Sequence, residues 1–102
     1  MKRVMVRYKT KPDRADENED YIRRVFAELL ENNPDGLRYA SFKLDDGVSF
    51  VHIASIETDD GSNPLSETAT FKAFQAEIKD RCDEPPAAVV LDTIGAYRMF
   101  DA

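Results

Sequence analysis

The stretch VSFVHIASIET, residues 48 to 58, decides the fold of this chain. Its even positions are Val48, Phe50, His52, Ala54 and Ile56, while its odd positions set Val51 and Ile53 among Ser49, Ser55 and Glu57. Side chains of a strand alternate between its two faces, so apolar groups leave the centre of this strand in both directions. A strand of that kind is packed on both sides. It also holds the chain's one histidine, His52. A lone imidazole in such a place is either the reactive group of a pocket or a packed polar side chain that has found a partner.

Working outward, DDG at 45 to 47 joins this strand to another at Leu37 to Leu44, and Asp-Gly between alternating apolar runs is a strong hairpin signal. Upstream, KRVMVRYKT at 2 to 10 sets Val4, Val6 and Tyr8 against Arg3, Met5, Arg7 and Lys9, the pattern of a half-buried first strand. From Asp16 the period changes. Ile22, Val25, Phe26, Leu29 and Leu30 form one helical stripe, Asp16 and Glu19 have capping-box spacing, and NNPDG at 32 to 36 ends the helix. Downstream, DDGSNP at 59 to 64 reads as a loop. Phe71, Phe74, Ile78 and Cys82 then mark a second amphipathic helix, which DEPP at 83 to 86 stops. The segment AAVVLDTIGAYRMF, 87 to 100, predicts a long last strand in which Gly95 marks a bulge or bend.

The order is β-α-β-β-α-β, without linker, repeat or low-complexity segment, and predicts an α+β ferredoxin-like sandwich as a single domain over residues 1–102. Both helices of that topology lie on one side of the sheet. The two-sided apolar strand therefore needs a cover on its other face, and a second copy of the chain is the economical one. At 102 residues the domain is also small enough that burying its core is hard without such help.

Composition narrows the function classes. Hydrophobic residues at 42% and charged residues at 33% are those of a globular domain, and no apolar run is long enough for a membrane span. A net charge of −6 opposes nucleic-acid binding. The basic residues Lys2, Arg3, Arg7, Lys9, Lys11 and Arg14 are followed at once by DENED at 16 to 20, which reads as mutual neutralisation, with an anion-binding strand as the alternative. An N-terminus that alternates and a single cysteine, Cys82, set a reducing cytoplasm as the expected location. Metal-ligand spacing, Gly-rich phosphate loops and nucleophilic triads are not found in the sequence.

With this topology and length, and with FVHIASIETDDGSNPLSETATFKAFQAEI running from the third strand into the second helix, the chain resembles the dimeric α/β-barrel superfamily. Within it the likeness is to the antibiotic-biosynthesis monooxygenase-like group. The resemblance implies a homodimer whose protomers form a dimeric barrel, and a small-molecule cavity between sheet and helices. It also implies either oxidation of a phenolic or quinol substrate by dioxygen without metal or cofactor, or no catalysis at all. The chain departs from the group's pattern: Ala54 stands where a glutamate is frequent, and Leu65 and Thr70 stand where histidines precede Phe71. It has no tryptophan and no helix-borne histidine, which argues against the haem-degrading members.

If the chain is such an oxygenase, His52 is the candidate base or hydrogen-bonding group, because histidine titrates nearest neutrality. Tyr8, Tyr39 and Tyr97 fall on predicted strands and are candidates to orient an aromatic ligand, with Phe26, Phe71 and Phe74 as an apolar wall. Each has a plainer reading. A histidine on an apolar strand face is more often a satisfied core or interface residue, and phenylalanines at helical spacing are core first. Tyrosines are also common strand formers, and the sequence leaves both readings open.

Overall fold

A computed structural model describes residues 1–100 of the chain. Its strands are β1 (Lys2–Thr10), β2 (Leu37–Lys43), β3 (Ser49–Ile56) and β4 (Cys82–Leu91), and its helices are α1 (Ala15–Asn32), α2 (Ala69–Ala76) and the short α3 (Ile78–Arg81). The sheet order is β2-β3-β1-β4, with every neighbouring pair antiparallel. This is the ferredoxin-like sandwich expected from the sequence.

Register explains the two faces. Val6 pairs with His52 and Ala88, and His52 pairs with Ser41, so these four side chains share one side of the sheet. Tyr8, Phe50 and Tyr39 lie on that same side by the two-residue period. Tyr8 and Phe50 join Ala15 and Val25 from the α1 segment, Leu65 from the 59–68 loop, and Phe74 and Ile78 from α2 and α3 in the core. The opposite side carries Met5, Ala40, Val51 and Ile53, half-buried, and Phe42 and Val89, exposed.

Local chemistry fixes the elements that frame the helical side. Thr68 caps α2 by accepting from the Phe71 amide at 3.2 Å. Glu28 of α1 reaches the same helix end, accepting from the Thr70 amide at 3.0 Å and the Thr70 hydroxyl at 2.7 Å. A carboxylate beside those free N–H groups favours the positive end of the helix and ties α2 to α1. In the β2–β3 hairpin, Asp46 accepts from the Val48 and Ser49 amides at 3.0 and 2.8 Å, and Gly47 takes φ +78°, the left-handed region that suits glycine.

Four boundaries differ from the sequence expectation. The helix begins at Ala15 after a turn of 3-10 helix over Pro12–Arg14, and no side chain caps it. Glu19 pairs with Lys43 and Arg23 instead of closing a capping box with Asp16. The second helix breaks at Glu77, where φ of −126° leaves the helical range, so Cys82 starts β4 instead of closing a helix. DEPP lies inside β4, and that strand ends at Leu91. Gly95 and Tyr97 therefore follow the last strand and are not part of it.

Of the basic N-terminal residues, Arg14 pairs with Glu17, and Arg3 pairs with Glu57, which it shares with Arg38 of β2. Among the described residues no helix is long and apolar enough to cross a membrane.

Candidate active site

Between the covered face of the sheet and the 63–79 region lies a cavity of about 470 Å³. Val4, Val6, Ala54 and Ile56 form its floor, and Leu65, Phe71, Phe74 and Ile78 its roof. Tyr8, Tyr39 and His52 supply polar groups to its wall. The strand period aims these three side chains at the helices, and the β1–β3–β2 register sets them side by side.

His52 is 5% exposed and both of its ring nitrogens are engaged. The Tyr8 hydroxyl lies 2.7 Å from Nε2, and the Tyr39 and Ser41 hydroxyls lie 2.6 and 2.8 Å from Nδ1. The network runs on behind Tyr8. The Asn18 side-chain amide donates to the Tyr8 hydroxyl at 2.8 Å, and Arg81 Nε donates to Asn18 Oδ1 at 3.2 Å. Arg81 is fully buried, gives a second bond of 2.9 Å to the Phe74 carbonyl, and has its guanidinium 4.3 Å from the Tyr21 ring centre. No carboxylate forms a salt bridge with Arg81 among the described residues. The aromatic faces of Tyr21 and Phe74 stand in for a counter-ion.

Burial dominates the electrostatics. It pushes the His52 pKa down from 6.5 to about 4, so the imidazole is neutral across the physiological range. It pushes Tyr39 up to about 12, eased by a hydrogen bond from Ser41. Tyr8 rises further by burial, opposed by the Asn18 hydrogen bond and, more weakly, by the Arg81 charge. The Cys82 thiol is raised by partial burial, which suppresses the reactive thiolate. No three His, Cys, Asp or Glu side chains converge on a metal-binding arrangement among the described residues.

The structure thus brings together His52, Tyr8, Tyr39, Phe71 and Phe74. Phe26 is not in the cavity wall; it stacks on Tyr39 at 5.2 Å and holds that ring in place. Tyr97, expected on a strand beside the site, is 78% exposed in the segment after β4 and contributes nothing to this cavity. Asn18, Ser41 and Arg81 are the members that residue-type reasoning passes over. A signal for two of them exists: Asn18 precedes Ile22, Val25 and Leu29 on the buried stripe of α1, and Arg81 follows Phe74 and Ile78 at helical spacing. A polar side chain on an apolar stripe needs a buried partner.

No protein-family model matches the chain, and no curated protein does. Solved structures do. The protein Rv0793 from Mycobacterium tuberculosis superposes with a TM-score of 0.75 at 17% identity, over 93% of this chain and 96% of its own. A structure described as an antibiotic biosynthesis monooxygenase gives 0.74 at 20% identity, over 93% and 100%. A variant of SnoaB, a cofactor-independent oxygenase from Streptomyces nogalater, gives 0.69 at 14% identity, over 95% and 96%. What this chain has in common with the antibiotic biosynthesis monooxygenase structures is therefore its fold, the ferredoxin-like βαββαβ sandwich, over nearly its whole length.

Proposed function

We propose that the chain is a cofactor-independent monooxygenase acting on a small phenolic or quinol-type compound held in the sheet–helix cavity. The observation that carries this reading is the cavity itself. Its volume suits a small aromatic molecule, its walls are largely apolar and aromatic, with Lys2, Asn63, Ser66, Gln75 and Lys79 as further polar lining, and three of its polar groups, Tyr8, Tyr39 and His52, form one hydrogen-bonded cluster. The description of SnoaB as a cofactor-independent oxygenase adds a precedent on the same fold. In such a reaction the substrate is the electron donor. A phenol and dioxygen give a quinone and water: one oxygen atom enters the ring, the other leaves as water with two hydrogens from the substrate. The protein binds and orients the ring and keeps bulk water away.

His52 serves this chemistry as a hydrogen-bonding group. A phenol with pKa near 10 that gave its proton to an imidazole of pKa about 4 would go uphill by roughly 8 kcal/mol, so the imidazole does not store the proton. The same observation favours a second reading, a binding protein that keeps the cavity without the reaction. Oxygen uptake by metal-stripped protein over a panel of quinols and polyphenols separates the two. The oxygenase reading expects uptake above buffer that falls at least about tenfold in His52→Ala while the variant stays folded. Uptake equal to buffer for every compound moves the assignment to the binding protein.

The partner in this proposal is a second copy of the chain. Met5, Phe42, Val51, Ile53 and Val89 form an apolar patch on the sheet face that the helices leave uncovered. Exposed Ile94 and Met99 follow β4 and add apolar surface. Two such sheets packed face to face would close the barrel. The expected result is a dimer by sedimentation at micromolar concentration, and a dissociation constant weakened at least about a hundredfold in Ile53→Arg by an unpaired charge at the patch centre. A wild-type monomer would overturn the assembly.

A further inference from the structure

The hydrogen bonds around His52 have a direction, and it is set from the far end of the network. A guanidinium can only donate. Arg81 Nε therefore requires the Asn18 carbonyl oxygen, 3.2 Å away, to face it, and this turns the Asn18 NH₂ toward Tyr8. The orientation of the Asn18 amide is thus fixed by chemistry. With the Tyr8 oxygen accepting from Asn18, the buried Tyr8 hydrogen needs an acceptor of its own, and the one within reach is His52 Nε2 at 2.7 Å. A neutral imidazole that accepts at Nε2 carries its hydrogen on Nδ1. Nδ1–H then faces the hydroxyls of Tyr39 and Ser41 at 2.6 and 2.8 Å, and neither hydroxyl can donate back to it. With Nδ1–H as the donor, both hydroxyls accept from it and their own hydrogens point away from the ring. Of the two, Tyr39 lines the cavity, and its hydrogen has no protein acceptor among the described residues.

We propose that Arg81 and Asn18 are positioning residues that lock His52 in its Nδ1–H tautomer, so that Tyr39 presents a hydroxyl donor to the cavity and ligands dock there through an acceptor oxygen. This rests on the small-aromatic reading above and sharpens it. The group best bound at Tyr39 is a ring carbonyl or an ionised phenolate, whose oxygen accepts more strongly than that of a neutral phenol. The buried Arg81 cation at the other end favours the same sense of polarity, because every donor in the series points away from it. Its own position is held by the Phe74 carbonyl and the Tyr21 ring, so the network starts from a fixed point. Reversing the series needs an acceptor at position 18 in place of a donor. Asn18→Asp supplies one at nearly constant shape, with Arg81 as its ion-pair partner.

The single histidine makes the test direct. In ¹⁵N-labelled protein, long-range proton–nitrogen correlation of one imidazole reads the tautomer with no ligand and no turnover. At neutral pH the wild type is expected to carry hydrogen on Nδ1 and a bare Nε2. In Asn18→Asp the Tyr8 hydroxyl turns to the new carboxylate, and the imidazole changes to the Nε2–H form. In Arg81→Met the Asn18 amide is free to flip and the two forms mix. An Nε2–H wild type overturns the proposal, as does a tautomer unchanged in both variants. The ligand half is read with 4-nitrophenol titrated below and above its own pKa. The phenolate is expected to bind about tenfold or more tightly than the neutral form, and Tyr39→Phe to abolish the preference. Equal affinity of both forms for the wild type, or no binding of either, overturns this half. Absence of oxygen uptake with the tautomer and probe results intact removes the oxygenase reading alone.

Discussion

Phe50→Ala is expected to destabilise the protein by about 3–5 kcal/mol, the range for truncating a fully buried aromatic side chain. Phe50 is 1% exposed at the start of β3 and stacks on Tyr8 at 5.4 Å with the rings 13° from parallel. Two losses combine: the transfer energy of the ring, and the cavity left where sheet and helices cannot close up. The second is large here because Phe50 lies where the sheet meets the helices. β1 holds Tyr8 beside it, and Val25 of α1 and Phe74 of α2 belong to the same buried cluster. A domain of this size has roughly 5–15 kcal/mol in total, so the variant sits near the edge of folding. Chemical denaturation read by circular dichroism checks the value. A loss below about 1 kcal/mol would mean that the core around Phe50 is loosely packed.

Acid should destabilise the protein in a window that belongs to His52. The unfolded imidazole takes up its proton near the ordinary value of 6.5, while burial holds the folded one down to about 4. Between those values the unfolded state binds more protons, so stability falls as pH falls, at up to about 1.4 kcal/mol per pH unit and on the order of 3 kcal/mol in all. Above pH 6.5 the contribution is complete. The groups facing the ring, Tyr8, Tyr39, Ser41 and Phe74, include no carboxylate that could stabilise the imidazolium. Carboxylates act lower on the scale: Glu57, Glu19 and Glu28 are held below their ordinary value of 4.5 by hydrogen bonds, and Asp46 is held down to about 2 by Ser49 and Val48. Urea midpoints across this range should fall for the wild type and stay nearly flat for His52→Gln, which keeps a polar group but cannot titrate. Equal slopes in the two proteins would show that the imidazole is solvated.

How much of this was legible beforehand depends on which force decided each element. The sheet and α1 were readable because burial on one side imposes periods of two and 3.6 on the residues themselves, as in Val4-Val6-Tyr8 and Ile22-Val25-Leu29. The end of the second helix was not. Pro85 and Pro86 read as a stop, yet they lie within β4, where the β1–β4 register shifts between Arg7–Ala87 and Lys9–Glu84 and the ladder asks no N–H of them. For the site, His52, Tyr8 and Tyr39 were legible from residue type and strand parity. Asn18 was hidden in the acidic run around it, and Arg81 by the habit of assigning arginine to water. Their places on the apolar stripes mark them as buried, but the contact that joins them spans 63 residues of sequence, and no local pattern names the partner. Tyr97 failed for the reverse reason: its segment is β-prone by composition, but no strand is available to pair with it.

That pair of prolines also bears on how copies of the chain can meet through their backbones. β4 is one edge of the sheet, and an edge strand presents unpaired N–H and C=O groups that invite another strand. Here two consecutive residues lack the N–H, and the irregular pairing opposite Tyr8 twists the strand at the same point. An incoming strand cannot keep its ladder past Pro85 and Pro86 on this edge. At the other edge, β2 offers a more regular backbone, guarded by the charges of Arg38 and Lys43. The longer uninterrupted edge is therefore that of β2, and replacing its two cations and their partners Glu57 and Glu19 by apolar residues is the change that would expose it.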